Sequence, residues 1–285
     1  MTKVLVAGAS GAAGFEVLKL LSKKNIPVRA LVRSEQSFEK VSNYTSDIFK
    51  ADAREQDQLT GCCDDVEVVF SGLGKSVSLF NRNRDSFEKD FIANKNLVSE
   101  SIASGVKRYV YLSIKGSNEN FNLTIPAVHQ KVEDYIRCSG INHTFIRPVG
   151  FYSGLNDLIA MGKKGIIPVA SNGKNKTNSI HQADLAHFIF NYLFDGPEIA
   201  EVGGPEVHSR NDIARMISEK TKGRIIHLPT ALINPGLFTF KFFSNNTMSK
   251  LDYFKYVTTH DMTAPKHGKI TFREYLNQLD LDQLP

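Results

Sequence analysis

The sequence has few features of an exported, membrane-spanning or nucleic-acid-binding protein. Of its 285 residues three are cysteines, Cys62, Cys63 and Cys138, which show neither Cys-x-x-Cys spacing nor a nearby histidine cluster. We therefore predict buried or half-buried free thiols and no metal site. No run of eighteen apolar residues is present, and the apolar stretch after Lys3 is too short for a signal peptide.

The sequence also has no large excess of charge of one sign. The net charge of +5 comes from 35 basic and 30 acidic residues, and no long basic run could track a nucleic-acid backbone. We therefore expect no nucleic-acid partner. Because the sequence also shows neither a signal peptide nor a membrane-spanning run, we expect a cytoplasmic protein with no membrane partner. Its predicted state is a monomer or a homodimer.

What is present is an ordinary globular composition, with 41% hydrophobic and 23% charged residues. In the first 150 residues short β-branched apolar runs alternate with helical patterns, which indicates βαβ units and a parallel sheet. The predicted strands are Lys3–Gly8, Val28–Arg33, Ser46–Ala51, Val66–Gly72, Arg108–Ser113 and His143–Pro148. Apolar spacing predicts crossover helices at Ala12–Lys24 and Phe87–Ser104. The predicted fold is thus α/β, with a Rossmann-type doubly wound parallel sheet.

The second half of the chain is less regular. The tract Gly162–Asn178, rich in Gly, Lys and Asn, is predicted to be exposed loop. Helical patterning returns at Gln182–Phe194 and Asn211–Lys222, and an aromatic tract runs from Leu232 to Tyr256. Without a repeat or a linker, we predict one domain over residues 1–285. In it, residues 1–150 form the core and 151–285 mostly form a small C-terminal lobe, interwoven with the core, that roofs the substrate.

A glycine-rich turn follows the first strand directly and opens onto an amphipathic helix. Such glycines allow a tight turn, close approach of a pyrophosphate to backbone N–H groups, and close packing of helix on strand. The turn therefore predicts a dinucleotide site. Its residues are Gly8, Ser10, Gly11, Ala12, Ala13 and Gly14.

The end of the second strand predicts which dinucleotide is bound. An NAD-binding site usually has an acidic residue there for the ribose hydroxyls, whereas this chain has Arg33. A guanidinium suits a 2′-phosphate, so NADP(H) is predicted ahead of NAD(H). The alternatives are that Arg33 points into solvent and that Arg29 is a solvated surface charge.

The carboxyl ends of the next two strands are predicted to complete the cofactor site. Asp52 and Ala53 are expected to border the adenine, and Gly72, Leu73 and Gly74 the nicotinamide ribose. Either segment could instead be an ordinary turn.

Several further motifs extend the pattern along the chain. They are Asp90-Phe91-Ile92-Ala93-Asn94, the segment Gly105 to Ser113, Lys131-Val132-Glu133, Phe145-Ile146-Arg147-Pro148, the segment Ile180 to Ala186, and the segment Thr271 to Leu276. With the glycine turn and Val32-Arg33, they resemble the atypical short-chain dehydrogenase/reductase proteins, especially the NmrA-like, NAD(P)H-binding subgroup. None of these motifs specifies a substrate.

The resemblance implies roles for residues near the nicotinamide. In that family a serine after the fifth strand and a Tyr-x-x-x-Lys pair transfer protons. Here Ser113 and Lys131 match the serine and the lysine, but Ala127 stands where the tyrosine would be. Lys131 is expected to hold the nicotinamide ribose, and Pro148 to border the cofactor. Tyr152, or less favourably His129, is a candidate substitute acid, and the alternative for Tyr152 is a wall of the pocket.

Two functions remain open. One is an NADPH-dependent reductase that passes hydride to a small, flat electrophile such as a quinone or an enone, which needs little proton donation. The other is a non-catalytic, NADP(H)-responsive regulator, as the resemblance implies for some members. A sugar-nucleotide epimerase or dehydratase is less favoured, because those reactions depend on the tyrosine that is absent.

Overall fold

The predicted strands form the centre of a seven-stranded sheet in a computed structural model, which describes residues 2–75, 77–80, 85–229 and 245–284. The strands described are β1 Val4–Ala7, β2 Val28–Val32, β3 Ile48–Lys50, β4 Val68–Ser71, β5 Arg108–Leu112, β6 Asn142–Pro148, β7 Ile166–Ala170, β8 Lys176–Thr177, β9 Ile199–Val202, β10 His208–Ser209 and β11 Arg224–Leu228. In the main sheet the order is β3-β2-β1-β4-β5-β6-β9, and every neighbouring pair is parallel. The Rossmann-type α/β fold is confirmed.

Helices cover both faces of this sheet. The helices described are α1 Ala12–Lys23, α2 Glu35–Val41, α3 Glu88–Ala103, α4 Thr124–Cys138, α5 Asn156–Lys163, α6 Gln182–Tyr192, α7 Arg210–Thr221, α8 Asn245–Thr259 and α9 Phe272–Gln278. One apolar cluster joins the sheet to α1 and α6, and a second joins it to α3 and α4. Every residue of β1 and of β4 is buried, as expected for parallel strands covered on both faces.

The order in which strands are added changes side between β1 and β4, and this places the cofactor crevice. From β1 the order runs outward to β2 and β3 on one side, and to β4, β5 and β6 on the other. Ligands bind outside the carboxyl ends of the strands at such a switch point. The glycine turn, Gly72 and Ser113 all follow strands that end at this edge.

The prediction of exposed loop for Gly162–Asn178 is wrong, because the tract contains β7 and β8. β7 pairs in parallel with β11, and β8 pairs antiparallel with β10. The apolar run Ile166 to Ala170 was obscured by the Gly and Lys residues on either side of it.

The lobe has its own apolar cluster and is tied to the core by the returning chain. Tyr152, Ile213, Ile217 and Phe272 belong to that cluster. The Asp184 carboxylate at the start of α6 accepts hydrogen bonds from the backbone N–H groups of residues 269 and 270, each at 2.8 Å. Because α6 packs on the main sheet and β9 is its last strand, the part of the chain beyond residue 150 contributes to the core. The predicted division at residue 150 stays a prediction.

Two smaller predictions need correction. Arg29 is not a solvated charge: its Nε donates to Asp47 at 2.8 Å and its Nη1 to the carbonyl oxygens of residues 61, 62 and 64. Cys62 and Cys63 are buried, but Cys138 is exposed, because it ends α4 on the outer face of the molecule. Across the described ranges, no helix combines the length and apolar composition needed to cross a bilayer.

Candidate cofactor and active site

The glycine turn packs so closely that side chains would not fit. Gly8 has φ +74°, and a Cβ on it would lie 2.8 Å from the carbonyl oxygen of Gly72. A Cβ on Gly14 would lie 2.3 Å from the carbonyl oxygen of Gly8. Both distances are shorter than a non-bonded contact allows, so the turn requires glycine at these two positions.

The first turn of α1 faces this crevice without a side-chain cap. Gly11 is the N-cap residue in an extended conformation, and no side chain caps the helix. The N–H groups of Ala12, Ala13 and Gly14 precede the first helical hydrogen bond, which runs from Phe15 to Gly11 over 2.9 Å. Uncapped N–H groups and the helix dipole together attract an anion. The geometry therefore fits the pyrophosphate of a dinucleotide.

A groove of about 590 Å³ continues from the glycine turn past the end of β2. It is lined by Ser10, Ser37 and Lys40, together with Gln36 and Glu39 of α2. The Ser10 hydroxyl lies 3.1 Å from that of Ser37, and the Lys40 Nζ donates to the Ser10 carbonyl oxygen at 2.8 Å. Arg33, at the end of β2, is exposed. Sequence reasoning did not identify Lys40, because only the fold brings α2 beside the glycine turn.

Asp52, predicted to border the adenine, already has a cationic partner. Arg54 Nε donates to its carboxylate at 2.8 Å, and this hydrogen bond holds the pKa of Asp52 below its usual value. Arg54 also pairs with Asp85 at 3.0 Å. The Asn96 amide on α3 donates to the carbonyl oxygens of Ala53 and Arg54. The segment after β3 is therefore attached to α3 at the edge of the crevice.

The segment after β4 is held by an amide from the same helix. The Ser71 hydroxyl donates to Asn94 Oδ1 at 2.6 Å, and Asn94 Nδ2 donates to the Leu73 carbonyl oxygen at 3.1 Å. Gly72 is half-buried and Gly74 is exposed. These bonds fix the backbone where the nicotinamide ribose was predicted.

The predicted catalytic serine lies in a buried ionic network. Ser113 donates to Glu133 Oε1 at 2.5 Å, Ser117 donates to the same oxygen at 3.0 Å, and Arg147 binds both carboxylate oxygens. The side chains of Glu133 and Arg147 are 0% and 4% exposed. Pro148, which follows Arg147, is buried at the end of β6. The hydroxyl of Ser113 thus fixes the segment after β5, and its catalytic role stays a prediction.

Lys131 lies apart from that network, on the exposed side of α4. Its ammonium pairs with Glu88 in the first turn of α3 and lies 4.1 Å from the centroid of the Phe91 ring. Ala127, one turn earlier on α4, is half-buried. A ribose that binds Lys131 competes with Glu88 for the ammonium.

The two candidate substitute acids are held by other contacts. Tyr152 is 2% exposed, donates to the Ile270 carbonyl oxygen at 3.1 Å and packs against Phe272 in the lobe, and burial raises its pKa. His129 Nδ1 lies 2.8 Å from the Tyr111 hydroxyl, and burial lowers the pKa of His129 to about 4. Neither of these hydrogen bonds involves Lys131, and the role of Tyr152 as an acid stays a prediction.

The aromatic tract is described only in part, since Leu232 to Phe243 lie outside the described residues. Its last aromatic residues, Tyr253, Phe254 and Tyr256, belong to α8. Tyr253 packs against a small cluster at the entrance to the crevice. The cluster is formed by Phe87, Ile125 and Val128, with Phe91 and Ile114 partly buried beside them.

Comparison with known families identifies the kind of site. A family model described as NAD(P)H-binding matches residues 8–196, about two thirds of the chain. The chain belongs to the NAD(P)H-binding family. The match begins at the first glycine of the turn and includes every residue predicted above to bind the cofactor. The NAD(P)H-binding part of the resemblance is confirmed.

Solved structures share the fold of this family member over nearly its whole length. The NADPH-dependent quinone oxidoreductase QOR2 from Escherichia coli, complexed with NADPH, superposes with a TM-score of 0.74 at 17% identity, covering 96% of this chain and 98% of that one. The triphenylmethane reductase of Citrobacter sp., complexed with NADP(H), gives 0.76 at 16% identity, covering 98% and 99%. At these identities the likeness establishes the fold alone.

One relative found by sequence comparison is named as an assembly factor rather than as a reductase. The photosystem II assembly factor Ycf39 of Cyanophora paradoxa is 21% identical over 152 residues, which are 53% of this chain and 46% of that protein. The chain thus spans about half the length of that relative. Membership of the family confirms the nicotinamide dinucleotide, and the acceptor, the partner and the compartment belong to the proposals below.

Proposed function

We propose that this protein is an NADPH-dependent reductase that transfers hydride directly to a small electrophilic acceptor of the quinone or enone type. The observation that carries the proposal is a pair of partly buried aromatic rings, Phe91 beneath Lys131 and Tyr253 of α8, which pack against the buried Phe87 where α3 begins, after the carboxyl end of β4. A flat acceptor can stack there with its electrophilic atom toward the bound nicotinamide. The fold likeness to quinone and dye reductases supports the proposal.

The groove beside α2 supports NADPH over NADH. Lys40 and the hydroxyls of Ser10 and Ser37 line it, and Arg33, which directly follows β2, is exposed. A 2′-phosphate in the groove receives charge-assisted hydrogen bonds that a 2′-hydroxyl cannot match. Gly8, Gly11 and Gly14 with the first turn of α1 hold the pyrophosphate, and Asp52 and Ala53 border the adenine.

Near the reacting end the roles divide between positioning and binding. When bound, NADPH supplies the hydride. Lys131 leaves Glu88 and donates to the ribose hydroxyls, while Gly72, Leu73 and Gly74 form the backbone wall that Asn94 fixes. The Glu133–Arg147 pair holds Ser113 and the segment after β5, and so keeps the floor of the acceptor site in place.

The test begins with binding and then adds turnover. NADPH and NADH are titrated against the purified protein, and NADPH consumption is followed with quinones and enones. We expect NADPH to bind more tightly by about 1–3 kcal/mol, if one charge-assisted phosphate contact decides the preference. Arg33→Ala and Lys40→Ala should each reduce this preference. Arg273→Ala, which removes an arginine whose pair with Glu219 is 60% exposed, is the control.

Lys131→Ala tests the role of the lysine. It should weaken NADPH binding and slow turnover together, because the ribose loses a charged donor. The matched control is Lys107→Ala, another exposed lysine in a pair with glutamate, at the opposite edge of the sheet. Equal effects of the two substitutions would contradict the assignment.

A second candidate is a non-catalytic NADP(H)-responsive regulator. The pairing of Lys131 with Glu88 and of Ser113 with Glu133 favours it, since both predicted catalytic groups are engaged within the protein. The assembly-factor name of the curated relative adds weight. Tight NADP⁺ binding with no turnover of any acceptor would replace the reductase by this regulator. The cytoplasmic compartment and the monomer or homodimer stay predictions.

A further inference from the structure

Hydride transfer to an enone leaves negative charge on the acceptor oxygen, which a proton donor within hydrogen-bond reach stabilises. On α4 the residue one turn before Lys131 is Ala127, which has no acidic hydrogen. Ser113 donates to Glu133, and Tyr152 donates to the Ile270 carbonyl oxygen. A donor for the acceptor oxygen can instead come from another element at the same entrance.

α8 reaches this entrance and is anchored on both sides of it. At one end the Ser249 hydroxyl donates to the Thr124 hydroxyl at the first residue of α4, over 3.1 Å, and the Lys250 ammonium donates to the Ser78 carbonyl oxygen at 2.8 Å. At the other end Arg210 of α7 donates to the Val257 carbonyl oxygen in the last turn of α8. The helix is thus held across the gap between α4 and the lobe.

Tyr253 lies one helical turn after Ser249, on the side of α8 that faces α4. Its ring packs against the cluster of Phe87, Ile125 and Val128. Phe91, at the edge of that cluster, is the ring over which the Lys131 ammonium lies. Tyr253 and the ring that Lys131 covers therefore pack against the same small cluster from different elements.

The phenol of Tyr253 differs from two phenols of the lobe in its hydrogen bonding. Among the described residues its hydroxyl has no hydrogen-bond partner, whereas those of Tyr152 and Tyr275 each have one. Burial and Tyr256 raise the pKa of Tyr253, and the nearby charge of Arg210 lowers it. The phenol is therefore protonated at neutral pH and can donate. The neighbours from α3 and α4 are apolar, and the Lys131–Glu88 pair lies beyond Phe91.

We propose that Tyr253 is the catalytic proton donor, supplied from α8 to the acceptor oxygen. This rests on the proposed reductase function. As the acceptor carbon takes hydride from NADPH, which is oxidised to NADP⁺, the O–H bond of Tyr253 breaks and its proton passes to the acceptor oxygen. Solvent water then returns a proton to the tyrosinate. Although an enone needs less proton donation than a simple ketone, its enolate oxygen is more basic than a hydroquinone oxygen, so an enone depends on this proton more than a quinone does.

The test compares two acceptors in one variant. Tyr253→Phe keeps the ring and removes the hydroxyl, so NADPH affinity, measured by fluorescence titration, and the melting temperature should not change. Turnover of an enone should fall by about 10²- to 10⁴-fold, the usual contribution of a positioned acid. Turnover of a quinone should fall much less. Tyr192→Phe, on the other face of the sheet, makes the same chemical change as a control.

Each outcome separates the two proposals. Unchanged enone turnover in Tyr253→Phe overturns the proton donor and leaves the reductase in place. Equal losses of turnover with both acceptors, together with weaker NADPH binding or a lower melting temperature, would show that Tyr253 only packs α8 in place. That result also overturns the proton-donor proposal. If the unmodified protein does not consume NADPH with any acceptor tested, the proposed reductase function is wrong, and the proposed proton donor is wrong with it.

Discussion

Breaking the buried pair of Glu133 and Arg147 should destabilise the fold more than breaking any surface pair described above. In Glu133→Gln the amide oxygen can still accept from Ser113 and Ser117, but the guanidinium of Arg147, 4% exposed, loses its counter-charge. Removing one partner of a buried pair costs about 3–5 kcal/mol. Because Gln keeps the shape and one acceptor, we expect the lower end, about 3 kcal/mol.

This free energy converts to a measurable shift in melting temperature. At roughly 2.1 cal/mol/K per residue, the 285 residues have an unfolding entropy of about 0.6 kcal/mol/K, so 3 kcal/mol lowers the melting temperature by about 5 °C. Urea unfolding followed by circular dichroism gives an independent value from the midpoint at constant slope.

The matched control is Glu219→Gln, which breaks a pair with Arg273 at 2.8 Å in which both side chains are 60% exposed. An exposed pair contributes about 0–1 kcal/mol, so this variant should hardly shift the midpoint. If Glu133→Gln shifts it no more than Glu219→Gln does, the carboxylate is not the counter-charge of Arg147, and the argument that this pair fixes the segment after β5 is wrong.

Three further predictions follow from the described contacts. Gly14→Val should abolish NADPH binding in a fluorescence titration, since its Cβ would lie 2.3 Å from the Gly8 carbonyl oxygen. The control Gly154→Ala, whose Cβ meets no atom within 4 Å, should bind NADPH normally. NADPH binding by a folded Gly14→Val protein would refute the packing argument. Tyr152→Phe should lose about 0.5–1.5 kcal/mol of stability with its hydrogen bond and retain quinone turnover; a complete loss of turnover would make Tyr152 the acid after all. Burial lowers the folded-state pKa of His129 to about 4, below its unfolded value of about 6.5, so the free energy of unfolding should fall as pH drops from about 6.5 to 4. This loss should be smaller in His129→Gln. Identical dependence of stability on pH in the two proteins would show that His129 does not cause the loss.

The sequence predicted the parts of the fold that depend on local pattern. Six strands and the crossover helices lie within a few residues of their predicted bounds, because buried parallel strands have continuous apolar runs in their sequence. The glycine turn was predicted for the same reason, since its backbone geometry excludes side chains at Gly8 and Gly14. β9, Ile199–Val202, was missed because it is an edge strand of four residues with an alternating pattern.

The candidate site was less predictable, since its contacts join residues far apart in the chain. Lys40 reaches the Ser10 carbonyl oxygen across 30 residues, and Tyr253 meets Ile125 only when α8 packs on α4. Ser113 matched a family motif, but the carboxylate that accepts its hydrogen bond is 20 residues away on another element. A motif identifies which residue types are present, whereas their hydrogen-bond partners are decided by tertiary packing.

The packing of α1 against α6 also has a consequence for synthesis on the ribosome. Val17, Leu18 and Leu21 of α1 are covered by Leu185 and Ile189 of α6 in one buried cluster. Roughly 170 residues must be translated after α1 before α6 exists, which takes on the order of ten seconds or more at about 5–20 residues per second. During that interval the part of the first helix that α6 covers has no native partner, so the nascent chain is a candidate client for ribosome-associated chaperones.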